Sequence, residues 1–302
     1  VFTNTPFEGN PLAIVNGGPL GAVTDAQMQT IAREFNFSET VIYHTPFENG
    51  NVNIRIFTTT EELQLAGHPV IGSGFYFLSG LSSLEIPSRD FALLTRAGRV
   101  PAVKTEAGLI RVRIPQAYMS HPALDLPEVK HIQTNLKPED YATDLLPVVS
   151  IVKGMNFFLL ELTSEDALAR MVPFPTPPKV PEGYLGEWYM GAPMHVSSFF
   201  VAQEGNGDES VTKVRTRMFF GKAQEDPATG SAACALSIYL AKRISKKLGK
   251  GAATWRFELL QGVEMGRLSE IHVAVGLNEQ QDVEKVELMG SAVKVMEGHL
   301  QV

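Results

Sequence analysis

Two stretches of the chain share one rhythm of apolar and polar positions. VNIRIF, residues 52–57, and VRTRMF, residues 214–219, alternate with period two, and both close on Arg-x-Phe: Arg55 to Phe57 and Arg217 to Phe219. Period two predicts half-buried strands. After each strand comes a polar connection containing acids, then a glycine at a matched distance, Gly67 or Gly230. A run of small and apolar residues follows, GHPVIGSGFYFL in one case and GSAACALSIYL in the other. Both runs predict helices whose starts carry no bulky side chain. The echo continues in LLTRAGRVPAV and LLQGVEMGRLSEIHV, with Gly98-Arg99-Val100 against Gly266-Arg267-Leu268, and both regions end in alternating strands, LIRVRI and IHVAV. Such a run of matches in order predicts an internal duplication.

The architecture expected from this is α+β, with two pseudo-symmetric domains. Each is a mostly antiparallel sheet or barrel around one central helix. The first spans residues 1–116, with a last strand at about 290–302 as a possible completion, and the second spans 117–289. Residues 117–147 lack strong periodicity and carry Pro, His and Asp, which predicts an interdomain crossover. VPFPTPPKVPEGYLGEWYMGAP, residues 172–193, has no partner in the first half. AQMQTIAREFNF predicts an amphipathic helix, TVIY a strand, and MNFFLLEL a core strand. The chain opens on Val1 in VFT, which has the pattern of a strand tail, so an earlier start is expected.

A helix start carries unsatisfied N–H groups and a partial positive charge. Two glycine-containing starts aimed at one cleft would hold a substrate carboxylate without a basic side chain. A plain capping role for Gly230-Ser231 remains the alternative at this point. The 302 residues carry 26 Lys and Arg against 33 Asp and Glu, a net charge of −7, which argues against nucleic acid as a partner. No apolar run approaches the roughly 18 residues of a membrane span. One cysteine, Cys234, excludes a disulfide framework or a cysteine metal site and fits a cytoplasmic protein. The NFS triplet at Asn36 is a glycosylation sequon of the kind met by chance. P-loop, dinucleotide, nucleophile-elbow and H-E-x-x-H motifs are absent.

At this point VFTNTPFEGNPLAIV, EFNFSETVIY, ELQLAGHPVIGSGFYF, EDPATGSAACAL and QGVEMGRLSEI resemble, in order, the motifs of the PhzF, or phenazine biosynthesis-like, family. The resemblance covers residues 1 to about 275 and implies the diaminopimelate epimerase-like fold. It implies that Glu39 is an acid/base group and that His68 and Asp226 are the polar residues beside it. Gly67, Thr229, Gly230 and Ser231 would then hold the substrate's carboxylate. It implies an isomerase that moves a proton on a small carboxylate, with no cofactor, acting as a homodimer. An epimerase on the same scaffold, or a protein that binds a carboxylate or a partner without turnover, are the alternatives. Departures from the pattern fall at Thr59 or Thr60 and at Leu268, where relatives carry Pro. Ala66 stands near the point where cysteine-dependent epimerases of this fold place a catalytic cysteine.

Overall fold

The computed structural model describes residues 1–48, 51–82, 86, 91–115, 117–207, 210–221 and 223–301. The chain divides into two compact units, Val1–Ile114 with Leu288–Val302, and Pro115–Glu287. In the first unit the elements run β1 (Ala13–Pro19), α1 (Asp25–Phe35), β2 (Thr40–Glu48), β3 (Asn51–Phe57), β4 (Glu62–Leu63), α2 (Gly67–Leu78), β5 (Ala92–Thr95), β6 (Gly98–Lys104) and β7 (Ile110–Arg113). The second unit holds β8 (Met119–Leu124), α3 (Pro127–Ile132), β9 (Leu146–Val152), β10 (Met155–Glu161), α4 (Glu165–Ala169), β11 (Met194–Gln203), β12 (Val211–Phe220), β13 (Gln224–Asp226), α5 (Gly230–Leu248), β14 (Ala253–Gln261) and β15 (Ser269–Leu277). The chain crosses back to the first unit within β16 (Val283–Gly290) and carries no strand beyond it among the described residues.

Strand pairing makes the duplication explicit. β1 runs parallel to β2 across helix α1, and β10 runs parallel to β11 across helix α4. β2 pairs antiparallel with β3, as β11 does with β12. Short antiparallel returns follow, β4 on β3 and β13 on β12. The central helices α2 and α5 then cross over to strands lying parallel on the other side, β5 beside β3 and β14 beside β12. β6 folds back on β5 and β15 on β14. By this order IHVAV in β15 answers to β6. The sequence match of IHVAV with LIRVRI is therefore one strand out of step: LIRVRI forms β7, whose counterpart is β16. Two further expectations change. Residues 117–147 are not a bare crossover but supply β8 and α3 to the second unit, and VFT forms no strand.

Register explains the recurring Arg-x-Phe. Phe57 lies opposite Glu62, and Phe219 opposite Glu225. Alternation puts Arg55 and Arg217 on the same faces as those acids. Each arginine then reaches its glutamate with two nitrogens. Arg55 donates to Glu62 at 2.7 and 2.6 Å, and Arg217 to Glu225 at 2.8 and 2.7 Å. Each guanidinium also sits over its phenylalanine ring, at 5.2 and 5.0 Å. Such forked pairs fix geometry as well as charge. Both clamps hold down the segment that leads into a central helix. Among the described residues no helix is long and apolar enough to cross a membrane.

The second clamp is the more buried, and Arg217 also donates to the carbonyls of Leu168, Ala169 and Met171 at the end of α4. Removing one partner strands the other charge in a dry site. Arg217→Met is expected to cost about 3–5 kcal/mol, measured by denaturant unfolding. Asp25→Asn, at the exposed end of the first clamp, is expected to leave the midpoint nearly unchanged. Equal effects would contradict this account of the clamps.

Candidate active site

Helices α1, α2, α4 and α5 begin in two different ways, and the short α3 also lacks a side-chain cap. The crossover helices are capped by side chains. Thr24 forms a capping box with Gln27 at the start of α1, and the Ser164 hydroxyl accepts from Ala167 N–H at 3.0 Å in α4. The central helices are not. Ala66 at the α2 cap has no side-chain acceptor to offer, and no side chain caps α5 at Thr229. Neither first turn contains an acid. A missing cap forgoes about 0.5–2 kcal/mol per helix. The two uncapped starts carry Gly67 and His68 in one unit and Gly230 and Ser231 in the other.

In the first unit the sequence-predicted Glu39 and His68 come together. His68 Nδ1 lies 3.4 Å from Glu39 Oε2. Glu39 is placed by the strand start that follows α1, whose end is set by Asn36 in the left-handed conformation. Burial raises the Glu39 carboxyl above its ordinary value, and the Ser38 hydroxyl works against that rise. The Ser38 hydroxyl lies 3.2 Å from the Asn10 side-chain oxygen, and Asn10 is itself buried. His68 is 4% exposed. Burial pushes its pKa down to about 3, and a backbone contact with Pro11 opposes this. The imidazole is therefore neutral, and its Nε2 makes no hydrogen bond of proper geometry. A buried polar atom without a partner in a native fold calls for an explanation, and a ligand is one.

The loop that carries Asn10 and Pro11 needs its glycine. Gly9 has φ +69°, and a Cβ there would stand 2.2 Å from the Val1 carbonyl oxygen. Asn10 and Ser38 were not singled out in the sequence. Their only sign there was membership of the FEGNP and FSET motifs.

In the second unit Asp226, Thr229, Gly230 and Ser231 share the start of α5. Alternation turns Glu225 to the clamp and Asp226 to the opposite face. Thr229 Oγ1 donates to Asp226 Oδ2 at 2.5 Å. Gln261, at the end of β14, ties the turn from behind. Its Nε2 donates to the Asp226 carbonyl at 2.7 Å and to Thr229 Oγ1 at 3.1 Å, and its Oε1 accepts from Thr229 N–H at 3.3 Å. Gln261 is a residue that the sequence reading missed, although a signal was present. Trp255, Phe257, Leu259 and Gln261 alternate on the buried face of β14, and a glutamine at a core register must find partners. Cys234 is buried inside α5, and burial pushes its thiol up to about 12. Among the described residues no three His, Cys, Asp or Glu side chains gather as metal ligands.

A neutral, desolvated His68 has a direct spectroscopic consequence. Its folded pKa lies below the unfolded value, so His68 contributes stability that is present above about pH 6.5 and is lost as pH falls toward about 3. Nitrogen-15 spectra of the imidazole are expected to show a neutral ring from pH 8 down to 5. A titration midpoint near 6.5 would contradict the burial argument.

Comparison with known proteins identifies the family. The sequence profile described as phenazine biosynthesis-like protein, PhzC-PhzF, matches residues 1–298. Trans-2,3-dihydro-3-hydroxyanthranilate isomerase of Pseudomonas aeruginosa is 29% identical over 315 residues, covering 98% of this chain and 95% of that protein. An uncharacterised isomerase of Pasteurella multocida is 30% identical over 290 residues, covering 92% and 86%. The crystal structure of a PhzF-family phenazine biosynthesis protein from Bacillus anthracis superposes with a TM-score of 0.78 at 23% identity, covering 100% of this chain and 96% of that one, which speaks for the shared fold. The fold is α+β, shared with that PhzF-family structure, and the chain belongs to the phenazine biosynthesis-like (PhzC-PhzF) family of isomerases.

Proposed function

We propose that this isomerase moves a proton on a small carboxylate by general acid–base catalysis at Glu39, without a cofactor. The observation that carries the reading is the Glu39–His68 pair, 3.4 Å apart at the uncapped start of α2. A proton shuttle must both take and return a proton, so its pKa works best near the operating pH. Burial moves Glu39 in that direction. His68, neutral, supports it as a hydrogen-bonding partner rather than as a fixed positive charge. The backbone of Gly67 and His68 supplies N–H donors for an anion with no side chain competing for them. Asp226, Thr229, Gly230 and Ser231 are assigned to the substrate by the family resemblance. The same reading carries a cytoplasmic homodimer.

A thiol mechanism of the epimerase kind has little support in these residues. Ala66 stands near the expected cysteine position. The single thiol, Cys234, is buried and protonated far above neutral pH.

The first substrate to try is trans-2,3-dihydro-3-hydroxyanthranilate, the compound in the name of the Pseudomonas relatives. A mass-spectrometric screen of small carboxylates in heavy water extends the search. With any substrate found, Glu39→Gln is expected to slow turnover and solvent deuterium incorporation by about 10²- to 10⁴-fold, with ligand affinity changed far less. Near wild-type exchange in that variant would remove Glu39 from the mechanism.

The pH profile follows from the direction of the shift. A base must be ionised to accept a proton, and burial raises the Glu39 pKa above 4.5. Wild-type kcat/KM is expected to rise with pH through a midpoint above 4.5. A midpoint at or below the ordinary carboxylate value would contradict the desolvated base.

A further inference from the structure

The duplicated frame gives the Glu39–His68 pair a counterpart in the second unit. Strand pairing fixes which positions are equivalent. Phe57 lies opposite Thr40 on one side and Glu62 on the other, and Phe219 lies opposite Val196 and Glu225. Thr40 therefore answers to Val196, and the residue before each, Glu39 in one unit, is His195 in the other. Gly67 and Gly230 follow their glutamates at the same distance, so His68 answers to Ser231. In the first unit the two positions hold an acid at the strand start and an imidazole at the helix start, 3.4 Å apart. In the second they hold an imidazole at the strand start and a hydroxyl at the helix start.

His195 lies on the face of β11 that carries the turn into α5. Ser197 pairs with Met218 and Met218 with Asp226, so these three side chains share one face of the sheet, and alternation adds His195 to it. The opposite face holds Val196, Phe219, Glu225 and the Arg217 clamp. Two aromatic neighbours hold the imidazole, Phe220 edge-on at 4.8 Å between ring centroids and Phe157 at 6.0 Å. Neither contact uses a polar atom. His195 Nδ1 is buried and makes no hydrogen bond, although the residue as a whole is only partly covered. Burial pushes its pKa down to about 4, so the ring is neutral at pH 7 and too weak a base there to repeat the role of Glu39. What it offers is one N–H and one lone pair. Unused bonding capacity at the frame position of the proposed base calls for an explanation, and a ligand is one. We infer that His195 is a substrate-binding residue whose neutral ring donates a hydrogen bond to a carboxylate held at the start of α5 by Gly230 and Ser231. A carboxylate only accepts, which fixes the ring as the donor. The inference rests on the reading that Gly230 and Ser231 hold a carboxylate.

The probe is anthranilate, and the first readout is nitrogen-15 spectroscopy of the full chain. Anthranilate is expected to shift the His195 ring nitrogens together with the amides of Gly230 and Ser231. His195→Phe keeps a ring between Phe157 and Phe220 and removes both nitrogens. It is expected to weaken anthranilate binding about tenfold in calorimetry, the value of one hydrogen bond to a charged group. His195→Asn keeps a donor near the Nδ1 position and is expected to restore most of the affinity. Amide shifts at Gly230 and Ser231 with the His195 ring unmoved would overturn the inference. Wild-type affinity in folded His195→Phe, equal weakness in the Phe and Asn variants, or no anthranilate binding at all would do the same. Should His195→Phe fail to fold, the wild-type ring spectra carry the test alone. Neither turnover nor Glu39 enters these readouts, so failure of the proton-transfer reading and failure of this inference are separate results.

Discussion

Everything at the candidate site depends on where the first turns of α2 and α5 find their acceptors. A helix start left without a side-chain cap is unfavourable, and this protein shows that it can avoid the cost, because α1 and α4 are both capped. At α2 the cap position is Ala66, which offers nothing. At α5 it is Thr229, a residue type that caps well, yet its hydroxyl is committed in both directions, accepting from Gln261 and donating to Asp226. The two helices reach the same state by different means. In both, no side chain of the cap position bonds the first turn. Long helices that a fold leaves uncapped beside others that it caps are candidate places for a ligand.

The duplicated frame explains how such starts are held still. Each central helix follows a short return strand, and each return strand is clamped by an arginine two residues back on the neighbouring strand. The clamp is a consequence of register. Once the acid lies opposite the phenylalanine of Arg-x-Phe, alternation brings the arginine to its face, and the guanidinium also lies over the ring. The copies are not equally buried. Arg217 is enclosed and also binds carbonyls at the end of α4, whereas Arg55 shares its charge with Asp25 at the surface. The second helix start accordingly rests on the more rigid support.

Much of this was legible in the sequence because it rests on short-range pattern. Period-two alternation located β3 and β12, the small-residue runs located α2 and α5, and their matched order exposed the repeat. The family motifs carried Glu39 and His68, which the fold brings to 3.4 Å. What the sequence hid was set by pairing. Nothing in LIRVRI says which strand it will lie beside, so its match to IHVAV slipped by one element. Residues 117–147 looked structureless because β8 is an edge strand with few buried positions and α3 has only six residues. Gln261 sat in plain view at the end of an alternating apolar face, but its meaning needed the turn it staples, 32 residues earlier in the case of Thr229.

The central claim is that the start of α2 forgoes a cap in favour of a ligand. Ala66 has φ −146° and ψ 142°, a conformation that suits a capping side chain. Supplying that cap is the most direct measurement. Ala66→Asp is expected to stabilise the protein by about 1 kcal/mol in thermal or denaturant unfolding. It is also expected to abolish the shifts that anthranilate induces in the amide resonances of Gly67 and His68. A variant that gains no stability, or that gains it and still shows the wild-type anthranilate shifts, would contradict the claim.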